Sequence, residues 1–247
     1  MSADSPPVVA SYCATFLKPE MLHIYRQITA LQRVRPVVIA RKREEATRFP
    51  FAPLFLVPRP ATHFLRRFWF RTIRRAPWRM SRGEVHRILR VLAESDAQLL
   101  HIYFGHIAVH LLPLMRRWSK PVVVSFHGAD VLVDLEKPAY RSATQEMLAA
   151  ARLVLVRSAS LAEALGALGC SESKIRLHRT GIPLGEIAFR KRVWPNDGSW
   201  RFLQAGRLIE KKGLTTSLRA FARFRKQNPN ATFTIAGEGP LLDELQM

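Results

Sequence analysis

Acidic residues are scarce in this chain. Against 39 Lys and Arg, the 247 residues include 19 Asp and Glu, a formal net charge of +20. Such an imbalance disfavours cationic partners and favours anionic ones: nucleic acid, a membrane surface or a phosphorylated substrate. Cysteine is scarcer still. Cys13 and Cys170 are far apart and in no paired spacing, which argues against a disulfide framework and a Cys-type zinc site and for two reduced thiols. No window approaches roughly 18 uninterrupted apolar residues, so no spanning helix is expected. The first cation is Lys18, so no secretory signal with a positive n-region is readable. What is abundant is core material. Apolar residues make up 48%, with 14 Phe and 5 Trp, which excludes a disordered tail.

Strand-like and helix-like patterns alternate. Val8 to Tyr12, Val37 to Ala40, Leu54 to Val57, Leu99 to Phe104, Val122 to Phe126, Leu153 to Val156 and Ile175 to His178 read as apolar strands. Glu20 to Gln32 carries Met21, Tyr25, Ile28 and Leu31 at helical spacing. Ser81 with Glu84, and Ser160 with Glu163, have capping-box spacing, and Gly169 offers a left-handed stop. This alternation predicts a doubly wound α/β domain with a mostly parallel sheet over residues 1–190. Residues 191–200, with Pro195, Asn196, Asp197 and Gly198, read as an exposed linker. A second Rossmann-like domain is expected to begin at 201–247: a strand at Arg201 to Ala205, a helix from Leu214 to Gln227, a strand at Thr232 to Ala236, and a last helix opened by Pro240 that the chain leaves at Met247. With two strands and one complete helix, that segment is expected to leave Phe202, Leu203, Phe233 and Ile235 poorly covered.

In open α/β sheets, ligands bind beyond the carboxyl ends of the strands. Three strand ends carry suitable chemistry. His127-Gly128-Ala129-Asp130 offers a proton donor or acceptor, a backbone able to approach a ligand, and a carboxylate; the alternative is an ordinary loop in which Asp130 caps a helix. Gly206-Arg207-Leu208 through Lys211-Lys212-Gly213 sets two cations around a helix start, which suits a diphosphate; the alternative is solubilising charge. Gly237-Glu238-Gly239-Pro240 lacks the third glycine of a dinucleotide fingerprint, so no nicotinamide site is expected. Arg59 to Arg90 is the most basic stretch, with 10 Arg and one acid, Glu84. Leu65, Phe68, Trp69 and Ile73 share a helical face there, with Arg66, Arg67, Arg71, Arg74 and Arg75 around it. This is either an interfacial helix on anionic lipid or a helix packed on the sheet with a solvated outer face. No nucleic-acid motif is present.

Gly206-Arg207-Leu208 through Lys212-Gly213, followed by Phe233 to Pro240, resembles the start of the donor domain of family 4 glycosyltransferases. His127 to Asp130 is similar to that family's acceptor-domain loop, His101 to Gly105 to a strand-end motif, and Arg179-Thr180-Gly181-Ile182 to the segment before its linker. The exopolysaccharide branch, as in colanic acid synthesis, is the most similar. The resemblance implies a GT-B fold, here partial, and transfer of a sugar from a nucleotide-diphosphate sugar with retained configuration and no metal. It implies that Arg207 and Lys212 hold the diphosphate, that Gly206, Glu238 and Gly239 line the nucleotide side, and that His127 faces the donor sugar and acceptor, with Asp130 nearby. Glu20, Arg66, Arg67, Trp69 and Arg71 fall on the acceptor and membrane side, where a lipid-linked glycan is the expected partner. Two departures stand out. Thr15 to Met21 lacks the glycines many relatives carry, and the family's paired-glutamate motif lies beyond Met247. The chain alone is therefore expected to be inactive, and to work in the cytoplasm or at the inner membrane face. The competing reading is a non-catalytic basic protein that binds anionic lipid or a partner, with nucleic acid a weaker option.

Overall fold

The computed structural model describes residues 5–128, 130, 133–191 and 193–246. Ala129 and Met247, named above, and Arg192 of the expected linker lie outside the described residues. The chain packs as two compact units, 1–182 and 183–247. Residues 183–190 thus go with the second unit, as do the described residues of the linker expected at 191–200.

The first unit is built on a seven-stranded parallel sheet: β1 (Val8–Phe16), β2 (Arg35–Arg43), β3 (Leu54–Leu56), β4 (Ala97–Tyr103), β5 (Val122–Ser125), β6 (Leu153–Val156) and β7 (Ile175–Leu177). Their order is β3-β2-β1-β4-β5-β6-β7. The order reverses between β1 and β4, so the connections leaving these two strands part to opposite sides and open a crevice at their carboxyl ends. The central strands are apolar on both faces because both faces are covered. Tyr12, Val37, Ile39, Leu100, Ile102, Val124 and Phe126 belong to one core. Cys13, Phe16, Val38, Ala40 and Tyr103 belong to a second, with Ile24 and Ile28 of α1 (Leu22–Thr29). The expected helix at Glu20 begins later because Pro19–Met21 forms a 3-10 turn.

Between β3 and β4 run α2 (His63–Thr72) and α3 (Arg82–Glu94). The capping box at α3 forms as read: the Glu84 N–H donates to Ser81 Oγ, and the Ser81 N–H donates to Glu84 Oε2 at 2.9 Å. Glu84 also accepts from the Arg41 guanidinium of β2 at 2.8 Å, and Arg41 Nε donates to Tyr12 Oη of β1 at 2.9 Å. The pair is almost fully buried, with side chains 6% and 2% exposed. α2, by contrast, buries no residue.

Three helices follow that the sequence reading left as connections: α4 (Gly105–His110), α5 (Leu112–Met115) and α6 (Pro138–Ala150). The second expected capping box is corrected. α7 (Ala159–Ala167) is capped by Ser158, whose side chain accepts from the Leu161 N–H at 3.2 Å, and Ser160 and Glu163 lie inside the helix. Ser158 wins because it sits in extended backbone directly after β6, the conformation an N-cap needs. Gly169 does take a positive φ, 91°.

The second unit holds β8 (Arg201–Ala205), α8 (Leu214–Arg225), β9 (Thr232–Ala236) and α9 (Leu242–Gln246), with β8 and β9 paired in parallel. Pro240 is not the first residue of α9. It lies in a turn closed by the Leu242 N–H on the Gly239 carbonyl, two residues before the helix. Phe202 and Leu203 are exposed, and Phe233 and Ile235 are half-buried.

Replacing Glu84 by Ala would strand the Arg41 charge in the core. Loss of one partner of a buried pair removes about 3–5 kcal/mol. The Arg41→Met, Glu84→Ala double variant is expected to recover part of that, as read from urea unfolding midpoints. Equal midpoints for Glu84→Ala and the parent chain would show that the pair does not hold α3 to the sheet.

Candidate functional site

The crevice at the reversal point is lined by residues that directly follow strands. β4 is followed by Phe104, whose φ of 73° is unusual for an aromatic residue, and α4 starts at once with Gly105. A Cβ on Gly105 would lie 1.9 Å from the Phe126 ring, so only glycine allows this approach. β5 is followed by Phe126, His127 and Gly128, the last at φ 130°. Asp130 joins the two strand ends. Its Oδ2 accepts from the Gly105 N–H at 3.0 Å and its Oδ1 from the His127 N–H at 2.8 Å. It therefore caps α4 across the crevice, and its hydrogen bond goes to the His127 main chain. Burial pushes its pKa up against these two N–H groups, which favour the charged form.

The His127 ring is packed among other rings: Phe104 at 4.6 Å, His23 of α1 at 5.4 Å and Tyr103 at 5.9 Å between centroids. Its Nε2 shares a hydrogen bond of 3.0 Å with Ser125 Oγ. Its Nδ1 is buried without a partner among the described residues. Burial first, then the Arg157 cation and neighbouring imidazoles, holds its pKa down at about 3. At neutral pH the ring is uncharged: it can exchange hydrogen bonds with a hydroxyl, and it holds no proton to deliver as a cationic acid.

Arg157 directly follows β6. One of its Nη atoms is buried and has no partner among the described residues, and its charge acts on His127, Asp130 and Tyr103. The rule that located His127 also covers Arg157, whereas His23 lies within α1 and reaches the cluster only through packing. Phe104 left no sequence signal, because a positive φ at an aromatic residue is imposed by tertiary structure. Glu20 contributes differently from expectation. Its side chain is exposed, and it is its main chain that hydrogen-bonds the His23 ring.

Beside Gly105 and Asp130 opens a cavity of about 770 Å³. Arg67, Arg71 and Arg75 line one side, and His106, Lys137 and Tyr140 take part in the rest. Arg67 and Arg71 are thus brought to the same cavity as Asp130. Arg66 is not: it donates to the Arg79 carbonyl at 2.9 Å. Trp69 lies under Arg74, 4.9 Å from ring centroid to guanidinium. The outward side of α2 exposes Phe64 (74%), Leu65 (67%) and Phe68 (58%), with Ile73 just beyond its end also exposed.

In the second unit, the loops after β8 and β9 interlock. The Leu208 N–H donates to the Glu238 carbonyl at 2.8 Å, and the Gly206 N–H to the Ala236 carbonyl at 2.9 Å. A Cβ on Gly237 would meet the Gly206 oxygen at 1.8 Å, and one on Gly239 the Leu208 oxygen at 2.4 Å. Gly237 and Gly239 thus shape the loop that presents Arg207. Arg207 and Lys212 are exposed and form no ion pair among the described residues. Gly213, at φ 65°, is the N-cap of α8, and no side chain caps that helix. Two cations and an uncapped helix start therefore face the same connection. Among the described residues, no group of three or more His, Cys, Asp or Glu is placed to hold a metal ion.

Three partly buried histidines give the first unit a defined acid response. Unfolded, they titrate near 6.5; folded, burial lowers His101 and His110 to about 4 and His127 to about 3. Between these values the unfolded chain binds more protons, so stability is full above pH 6.5 and declines as pH falls toward 4. The slope reaches about 1.4 kcal/mol per pH unit for each ring. Urea midpoints at a series of pH values check this. A midpoint unchanged down to pH 4 would contradict it.

Residues 22–186 match the family model described as Glycosyltransferase Family 4, and residues 186–247 that described as Glycosyl transferases group 1. The amylovoran biosynthesis glycosyltransferase AmsK of Erwinia amylovora is 31% identical over 153 residues, which is 62% of this chain and 37% of that protein. The chain thus spans little more than a third of the length of that relative. Among solved structures, Anabaena HepE in complex with UDP and glucose is similar with a TM-score of 0.62 at 13% identity, over 97% of this chain and 64% of the other. The catalytic domain of Arabidopsis thaliana starch synthase IV, bound to ADP and acarbose, is similar at 0.59 and 12%, over 98% and 71%. The parallel sheet, the loops at its reversal point and the match over most of the first unit agree: the chain belongs to glycosyltransferase family 4, with the GT-B type of fold.

Proposed function

We propose that the protein transfers a sugar from a nucleotide-diphosphate sugar to a lipid-linked glycan in bacterial exopolysaccharide assembly, with retained configuration. The observation that carries this reading is the cluster at the carboxyl ends of β4, β5 and β6. There a neutral His127 with an unpartnered Nδ1, the Asp130 clamp and the Arg157 cation converge, within a chain that belongs to a glycosyltransferase family. The UDP and glucose bound by Anabaena HepE support the donor class, and the amylovoran enzyme supports a polysaccharide product.

In this reading the acceptor hydroxyl attacks the anomeric carbon from the face the diphosphate leaves. The bond from that carbon to the acceptor oxygen forms as the bond to phosphate breaks, and the hydroxyl proton passes to the departing phosphate. His127 Nδ1 meets a sugar hydroxyl as an uncharged partner. Arg207, Lys212 and the start of α8 hold the growing charge on the diphosphate, with Gly206, Glu238 and Gly239 along the nucleotide. No metal takes part. In the full-length enzyme, Arg207→Ala should weaken nucleoside-diphosphate binding by about 1.5–3 kcal/mol, roughly 10- to 150-fold. Unchanged affinity by calorimetry would remove Arg207 from the donor site.

α2 supports the membrane side of the reading. Its exposed Phe64, Leu65, Phe68 and Trp69 sit beside Arg67, Arg71, Arg74 and Arg75, the pairing of apolar area and positive charge that suits an anionic bilayer at the inner face of the cell membrane. The arginine side also borders the cavity next to Asp130, where a lipid-linked acceptor would be presented. Binding to phosphatidylglycerol vesicles should fall as salt rises from about 50 to about 500 mM, and should be lost in the Phe64→Ser, Phe68→Ser variant. Equal binding to neutral and anionic vesicles, or to neither, would refute the contact.

A further inference from the structure

Behind His127 stands a pair of side chains to which the reading above gives no role. Ser125, the last residue of β5, places its Oγ 3.0 Å from His127 Nε2 and 3.1 Å from His101 Nε2. The sheet register makes this possible. His101 of β4 pairs with Val123, and Tyr103 pairs with Ser125, so His101 and Ser125 are diagonal neighbours on one face of the sheet. His101 is further fixed by stacking on Tyr103, 4.2 Å between ring centroids.

We propose that His101, Ser125 and His127 form one hydrogen-bond relay, in which Ser125 and His101 are positioning residues that couple the tautomer of His127 to the opposite tautomer of His101. The relay stands on its own geometry; its bearing on sugar transfer rests on the function proposed above. The reasoning is proton counting. A neutral imidazole has one N–H and one bare nitrogen, and a serine hydroxyl has one proton to give. Burial keeps both rings neutral, His101 at about 4 and His127 at about 3. Ser125 can therefore donate to one ring only, and the other ring must donate its Nε2–H to Ser125 Oγ. The two histidines carry opposite tautomers. If His101 donates, Ser125 donates to His127 Nε2, and His127 Nδ1 bears a proton. If His127 donates, Ser125 donates to His101, and His127 Nδ1 is a bare acceptor. The unpartnered Nδ1 is the atom whose character is set in this way. A sugar hydroxyl approaching it meets a donor in the first arrangement and an acceptor in the second, and a change from one to the other must move the proton of His101 as well.

Ring-nitrogen NMR of the 247-residue chain with isotopically labelled histidine tests this directly, because the shifts separate the two neutral tautomers from each other and from the cation. Spectra of His101→Gln and His127→Gln assign those two rings among the eight histidines. Near neutral pH, His101 and His127 should both be neutral and of opposite tautomer. Ser125→Ala should move the His127 ring shifts toward a tautomeric average, and Ser125→Thr, which keeps the hydroxyl, should restore them. The same tautomer on both rings of the parent chain would overturn the relay, whether or not the alanine variant folds, as would unchanged His127 shifts in Ser125→Ala. A second arm separates the relay from the function. In the full-length enzyme, Ser125→Ala should lower kcat at least several-fold with little change in donor KM, and Ser125→Thr should recover it. Mixed tautomers with an unchanged kcat would overturn the positioning role and count against His127 in transfer, while the relay itself stood.

Discussion

The Asp130 carboxylate accepts main-chain N–H groups from two strand ends at once, Gly105 and His127, and the arrangement of the crevice follows from that double acceptance. In a parallel sheet the connections after β4 and β5 have no hairpin partners to satisfy their backbone groups. One carboxylate supplies acceptors to both, and in doing so ties the start of α4 to the loop that carries His127. The close packing around it leaves little freedom. Gly105 has no room for a Cβ beside Phe126, and Phe104 is held at a positive φ with its ring against His127. A strained residue beside a clamped loop is how a fold holds a side chain in place before its ligand arrives.

The electrostatics of the site follow from burial. In a chain with net charge +20, His127 and His23 of this site are held toward the neutral form. Burial does most of this, and Arg157 adds to it by making a nearby imidazolium unfavourable. The consequence is chemical. A neutral imidazole does not donate a proton as a cationic acid does, but it bonds a hydroxyl without attracting the anionic leaving group toward itself. In the function proposed above, the positive charge that a diphosphate needs is carried by Arg207 and Lys212, exposed cations of the second unit.

The doubly wound sheet was readable because its central strands are buried on both faces and α3 carries a capping box. β6 and β9 were located to the residue, and Ser81 with Glu84 formed the capping box the spacing implied. The misreadings have physical causes. Ser160 and Glu163 match the capping pattern, but Ser158 stands nearer the strand and has the extended backbone that a cap requires. α4 and α5 are short and buried nearly all round, so they show no amphipathic period. At the site, His127 and Asp130 were legible because they follow a strong strand. Arg157 was equally accessible to the same rule, whereas the place of His23 beside His127, the direction of Asp130's hydrogen bonds and the strain at Phe104 exist only once distant segments meet.

The second unit solves the same problem of presenting a loop by another means. Where the first unit uses a carboxylate to hold two strand ends, the second uses missing side chains. Gly237 and Gly239 let the loop after β9 lie directly on the loop after β8, so that main-chain groups bond one another and Arg207 projects from a braced turn. The dipeptide-spaced glycines that resemble a nucleotide fingerprint thus act first on their own backbone. A side chain at either position would push the two loops apart and move the Arg207 guanidinium with them. The cation's position is therefore set by residues some thirty positions downstream, and a glycine that never touches phosphate becomes part of how phosphate would be held.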